Sequence, residues 1–186
     1  MMQEWEHPLL RMLAERAAAG GGDLLEVGFG TGVSATQVQR SGVRSHTIIE
    51  VDDRAADRCE MWRRQWPGRD IRIERGKWQE VIGGLGRYDA VLYDVYPTDH
   101  RGFVRTLGST AAVFAAEFFG HARAHLRCGG VLAYYTNEID SLGRGHQRAL
   151  LENFSSFTVE LCRSLHPPSD CTYWWAPTMA VVIAHL

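Results

Sequence analysis

The sequence predicts a doubly wound α/β domain, a mostly parallel seven-stranded sheet with an antiparallel C-terminal edge, built from residues 1–186 as one unit. Three observations predict it. Short apolar runs of strand length alternate with longer segments of helical periodicity, which is the pattern of a parallel sheet with crossover helices. The first apolar run drops directly into Gly28-Phe29-Gly30-Thr31-Gly32 before a helix begins. The last two runs are joined by a proline-containing connection without a helix, as an antiparallel strand pair would be.

The elements follow in order. Leu9, Leu10, Met12 and Leu13 recur among Arg11, Glu15 and Arg16 with helical spacing, and Gly20-Gly21-Gly22 stops that helix. Asp23 to Val27 is the first strand, and Val33 to Arg40 is the helix after the glycine turn. His46 to Val51 is β-branched and ends in acid; a charged helix from Arg54 to Gln65 follows and is closed by Pro67-Gly68. Asp70 to Glu74 alternates with period two, whereas Tyr88 to Asp94 is a more continuous apolar run suited to the middle of a parallel sheet. Ala111 to Leu126 reads as a long helix stopped by Cys128-Gly129-Gly130, with Val131 to Tyr135 as the fifth strand. Gln147 to Phe154 is helical, and Phe157 to Leu165 and Thr178 to Leu186 are the final pair.

Composition narrows the function classes. Twenty basic residues against 22 acidic ones leave a net charge of −2, which is not the footprint of a phosphate-binding groove, so no nucleic-acid partner is expected. The N-terminus is acidic and lacks an apolar leader, and the most apolar later stretch, Ala111 to Phe119, is short and carries Glu117. Neither a signal peptide nor a membrane contact is expected. Cys59, Cys128, Cys162 and Cys171 share no C-x-x-C spacing, which argues for reduced thiols in a cytoplasmic protein. His121 and His125 lie four apart on a predicted helix without a third ligand, so no metal is expected.

Glycines 28, 30 and 32 stand where a strand hands over to a helix, where missing side chains let a ligand approach backbone N–H groups. The spacing G-x-G-x-G puts Val33 where a dinucleotide fingerprint requires glycine, which favours an adenosine without pyrophosphate. Glu26 ahead of the turn would repel phosphates and accept from an amino-bearing ligand. Glu50, at the end of the second strand and followed by Val51, is placed to accept ribose hydroxyls. These preferences point to S-adenosylmethionine as cofactor.

Six segments together resemble the guanidinoacetate N-methyltransferase family: Leu25 to Gly30, Ile48-Ile49-Glu50, Gly76 to Val81, Leu92-Tyr93-Asp94-Val95-Tyr96-Pro97, Gly129 to Leu132, and Pro167-Pro168-Ser169-Asp170-Cys171. Met2 to Pro8 resembles the W-E-x-P start of that family, so the resemblance runs over essentially the whole chain. It implies a class I, Rossmann-like methyltransferase fold with S-adenosylmethionine over the glycine loop, its ribose on Glu50 and its adenine near Trp78 and Gln79. Gln79 stands where the family usually has glutamate. Glu6 and Asp94 match the two family carboxylates that hold the guanidino group, and Asp94 also borders the cofactor.

Two carboxylates suit such chemistry. A guanidinium has a pKa above about 12 and delocalised lone pairs, so it is a poor nucleophile. A carboxylate pair binds its planar fork through charge-assisted bonds, and one oxygen takes the proton as nitrogen attacks the methyl group. Asp94, at the C-terminal end of the fourth strand, is expected to be the base, with Glu6 as its orienting partner. Tyr96, Tyr135 and Tyr173 are candidate pocket walls.

Two departures bear on the acceptor. Members of the family carry an N-terminal extension that folds over the active site, whereas only Met1 to Glu4 precede Trp5-Glu6 here. A more open site, or one covered by the partner of a homodimer, is then expected. The loop Tyr135 to Asp140 carries Glu138 and Asp140 where the family binds the guanidinoacetate carboxylate, which would disfavour a small carboxylate and tolerate an amine. The leading expectation is a small-molecule guanidino N-methyltransferase acting on guanidinoacetate, arginine or a related guanidine. The alternatives are methylation of arginine in proteins, as in the similar fungal arginine methyltransferases, and a non-catalytic S-adenosylmethionine-binding scaffold.

Overall fold

The computed structural model describes residues 3–95, 114–163 and 165–186. A 3-10 turn, Glu4–Glu6, leads into α1 (His7–Ala18), with Pro8 in the first helical turn where its missing N–H costs nothing. There follow β1 (Asp23–Val27), α2 (Val33–Ser41), β2 (Ser45–Glu50), α3 (Asp53–Arg63) and β3 (Asp70–Arg75). Next come the short α4 (Trp78–Val81), β4 (Tyr88–Tyr93), α5 (Phe119–His125), β5 (Leu126–Tyr135), α6 (Arg144–Asn153), β6 (Ser156–Cys162) and β7 (Met179–His185).

The seven strands form one sheet in the order β3-β2-β1-β4-β5-β7-β6. The first five are parallel, and β7 runs antiparallel between β5 and β6. The predicted fold class is the observed one. The chain winds outward from β1 to β3, then returns to place β4 on the other side of β1, so the sheet's switch point lies between β1 and β4. Open α/β sheets bind ligands at the carboxyl ends of the strands at this point. Here those ends carry the glycine loop after β1 and Asp94 after β4.

Period-two alternation sorts the core. Leu25 and Val27 of β1 face one side with Val91, Tyr93, Leu132, Phe118 and Phe119, whereas Leu24 faces the other with Leu92, Ala133, Leu9 and Leu13 of α1. A smaller cluster of Phe29, Ala35, Ile48, Cys59 and Trp62 packs α2 and α3 beneath the glycine loop.

Most boundaries shift by one to three residues from the sequence reading, and two elements around β5 differ more. Of the helix expected over Ala111 to Leu126, residues 111–113 lie outside the described residues; the rest is a 3-10 turn at Phe114–Phe118 followed by α5. The fifth strand begins at Leu126, five residues earlier than expected, because Cys128-Gly129-Gly130 forms a bulge inside β5. Tyr88 pairs with Leu126 and Ala90 with Val131, so the extra residues loop out. Gly129 has φ +75°, and a Cβ on Gly130 would meet the Arg127 and Asp89 carbonyls at 2.9 and 3.0 Å.

At the opposite end of the strands from the site, Arg44 and Arg127 both bind Asp23 at 2.7 Å, and Arg127 also binds Asp89 at 2.7 Å. No described helix is long and apolar enough to cross a membrane.

Candidate active site

The loop after β1 is held by Glu50. Gly28, Gly30 and Gly32 have φ of +94°, +54° and +79°, a region other residues avoid. A Cβ on Gly28 would lie 2.3 Å from the Asp94 carbonyl, so this position also lets β1 and β4 approach. Glu50 Oε2 accepts from the N–H groups of Phe29 (2.8 Å) and Gly30 (3.2 Å), and Oε1 from that of Asp52 (2.9 Å). Three of about four acceptor positions on the carboxylate are thus taken by backbone. One place remains on Oε1, and the long Gly30 contact is the easiest to share with an incoming hydroxyl. Val51, 52% exposed, extends the rim beside it.

This loop fits an adenosyl cofactor better than a pyrophosphate. Its N–H donors point at a carboxylate rather than at open space, and the surroundings are acidic. Glu50 and Asp94 lie on one face, each two residues beyond a register partner of Glu26, and two carboxyls there favour a sulfonium or ammonium over a phosphate.

Asp94 closes the far side. Its N–H donates to the Val27 carbonyl at 2.9 Å, and the Ser34 hydroxyl donates to Oδ2 at 3.2 Å. Oδ1 is buried and has no hydrogen-bond partner among the described residues. Burial above all pushes the Asp94 carboxyl up to about 8; the neighbouring carboxyls Glu26, Glu6 and Glu50 add to this wherever they are ionised, and the Ser34 hydrogen bond opposes it. Glu6, 8% exposed, is drawn in from the N-terminal turn. Its Oε2 accepts from the Gln3 N–H at 2.6 Å and from the Tyr173 hydroxyl at 3.2 Å. Burial raises its pKa, and those two donors lower it. Tyr173 packs against Trp5 with ring centroids 5.9 Å apart. The N-terminal turn and the β6–β7 connection therefore meet at Glu6, whose charge reaches Asp94 at the end of β4, and neither carboxyl is ion-paired within the described residues.

Other expected residues are placed differently. The Glu26 carboxylate, expected to receive the amino group of a ligand, is wholly buried and turned away from the crevice toward His46, with Oε2 2.8 Å from Nε2. Trp78 is 8% exposed and packs edge-on against Phe118 and His121, both at 5.0 Å, so it is a core wall; Gln79 beside it is exposed. Tyr135 is half-buried at the end of β5, and Tyr96 lies outside the described residues. His121 lies against Trp78 whereas His125 Nδ1 meets the Gly86 carbonyl at 3.0 Å, so the two serve different contacts.

Glu138 is engaged within its own loop and the helix that follows. Its Oε1 accepts from the Gly143 N–H at 2.5 Å, and its Oε2 lies 2.6 Å from His146 Nδ1. The His146 Nε2 is in turn 2.5 Å from the Tyr134 hydroxyl. The acid pins the loop after β5 to α6. Sequence reading also missed Ser34, whose position two residues past Gly32 at the start of α2 was the available signal.

A family model described as guanidinoacetate N-methyltransferase matches residues 1–144. Among solved structures, a spermidine synthase in complex with the transition-state analogue AdoDATO is similar at TM-score 0.64 and 17% identity, over 98% of this chain and 59% of that one. The chain thus spans 59% of that synthase's length. A ribosomal protein L11 methylase from Lactobacillus delbrueckii subsp. bulgaricus is similar at 0.63 and 19% identity, over 99% of this chain and 80% of that one. An O-methyltransferase from Bacillus cereus in complex with SAH gives 0.61 and 14%, over 100% and 82%. At these identities the likeness to solved structures is one of fold.

Proposed function

This chain belongs to the guanidinoacetate N-methyltransferase family, and on that premise we propose that it is an S-adenosylmethionine-dependent N-methyltransferase acting on the guanidino group of a small molecule. The observation that carries the reading is the pair Glu6 and Asp94: two carboxyls destabilised as anions by burial, one with an oxygen that lacks a hydrogen-bond partner, and neither ion-paired among the described residues. A cation completes such a site. A planar guanidinium supplies several N–H donors in one plane, enough to reach Asp94 Oδ1 and Glu6 together.

S-adenosylmethionine, when bound, supplies an electrophilic methyl group on a positively charged sulfur. Gly28, Gly30, Gly32, Glu50, Val51 and Gln79 would hold it, with Trp78 behind them as a wall. Glu6, fixed by the Gln3 N–H and Tyr173, orients the guanidinium and balances its charge. Asp94 accepts the proton that the attacking nitrogen gives up as its bond to the methyl carbon forms and the carbon–sulfur bond breaks, the electron pair staying on sulfur. Burial disfavours the Asp94 anion in the empty site and a bound cation favours it, so Asp94 is ionised and able to take a proton once the substrate has arrived.

Incubation with S-adenosylmethionine and a panel of guanidines (guanidinoacetate, arginine, agmatine), with amine and phenol controls, tests this. S-adenosylhomocysteine release with the added methyl located on a guanidino nitrogen by mass spectrometry is the expected outcome. Turnover of amines or phenols with none on any guanidine overturns it.

A further inference from the structure

The mechanism leaves one buried group of titratable side chains without a use. Below the glycine loop, Glu26 and His46 are both 0% exposed and Gln39 is 2% exposed. Gln39 Nε2 is placed 3.1 Å from His46 Nδ1, and His46 Nε2 is 2.8 Å from Glu26 Oε2. Both Glu26 oxygens, His46 Nε2 and Gln39 Oε1 nonetheless lack a completed hydrogen bond.

That pattern discriminates between proton arrangements. If Gln39 donates to Nδ1, the ring proton sits on Nε2, fixed in the ring plane. A neutral Glu26 would then have no acceptor for its own O–H, because neither of its oxygens has another hydrogen-bond partner among the described residues. With the proton on Glu26, Nε2 becomes the acceptor and the ring keeps its proton on Nδ1. The Gln39 amide, whose two ends have the same shape, then presents its oxygen to Nδ1.

We propose that Glu26, His46 and Gln39 form a neutral relay under the glycine loop, with Glu26 O–H donating to His46 Nε2 and His46 Nδ1–H donating to the Gln39 carbonyl. Glu26 is then a positioning residue: held neutral, it occupies the strand position between Glu50 and Asp94 without adding a third anion to them. Its role toward Asp94 rests on the guanidine reading; the proton arrangement does not.

The surroundings agree. Of the groups facing the relay, Glu50 on β2 and Asp94 on β4 are carboxyls, and Cys59 on α3 is a thiol that burial pushes up to about 12, so no described cation sits against Glu26. Burial, then Glu50, raise Glu26 well above the carboxylate range, and burial takes His46 down to about 3. The cationic ion pair that these two residue types usually make is thereby disfavoured on both sides.

Nitrogen-15 NMR of the His46 ring in the intact protein, assigned with His46→Gln, reads the arrangement directly. The relay requires a neutral ring protonated on Nδ1 that does not titrate between pH 5 and 8. A proton on Nε2, or an imidazolium in that range, overturns it. Glu26→Gln, whose amide can also donate to Nε2, supplies a second reading. The variant is expected to keep the Nδ1 proton and to bind S-adenosylhomocysteine within about threefold of the parent at pH 6 and pH 8. An ionised Glu26 serving the cofactor's amino group would instead cost a charged hydrogen bond, about tenfold or more in affinity, and that result would overturn the relay. Both readouts are independent of whether a guanidine is turned over.

Discussion

Asp94 carries two opposed consequences in one carboxyl. Because its pKa is raised in the folded protein, its contribution to stability is full below the ordinary carboxylate range and is lost as pH rises toward about 8. Asp94→Asn should therefore melt several degrees higher than the parent at pH 8 by calorimetry, while methyl transfer falls by roughly 10²–10⁴-fold, the usual worth of a general base. Loss of both stability and activity would mean that Asp94 is a structural strand-end residue. Tyr173→Phe removes one of the two donors to Glu6, so KM for the guanidine should rise several-fold with kcat less affected. Glu6 and Asp94 stand out in the sequence because each sits in a motif. The inward turn of Glu26 does not, since nothing in the order of residues shows that His46, on the neighbouring strand, lies within 2.8 Å of it. The partners of Glu138 were hidden for a similar reason: Gly143 and His146 come from the next turn and helix.

At the scale of elements, the β1–α2 turn depends on Glu50 as much as on its glycines. Glu50→Ala removes the acceptor for the Phe29 and Gly30 N–H groups and should weaken S-adenosylhomocysteine binding by more than tenfold in calorimetry. Gly28→Ala should fail more severely, because a Cβ there runs into the Asp94 carbonyl; the expected result is insoluble or strongly destabilised protein. The strands and their order of types were legible from period and length. The start of β5 was not, because Gly129-Gly130 reads equally as a helix stop or as a bulge. The choice is made by β4, whose Tyr88 and Ala90 take Leu126 and Val131 as partners.

At the scale of the whole molecule, two groups of carboxyls at opposite ends of the sheet have opposite pH behaviour. At the far end of the sheet, Arg44 above all holds Asp23 below the usual carboxylate range, and the Asp23 N–H, then Arg127, lower Asp89. These contributions are present at neutral pH and are lost only as pH falls below that range. They are partly exposed and individually small. At the switch point, the raised Asp94 and Glu6 work in the other direction. Thermal stability should accordingly decline from about pH 5 to pH 8 in the parent and stay flatter in Asp94→Asn, as followed by calorimetry. A bound guanidinium should reverse the decline, since it stabilises the anions that the empty site disfavours. The most direct test of this account is a structure of the protein with S-adenosylhomocysteine and a guanidine. The account predicts the planar guanidino group between Glu6 and Asp94, with Asp94 Oδ1 accepting one of its N–H groups; a guanidine bound elsewhere, with that oxygen still without a partner, would contradict it.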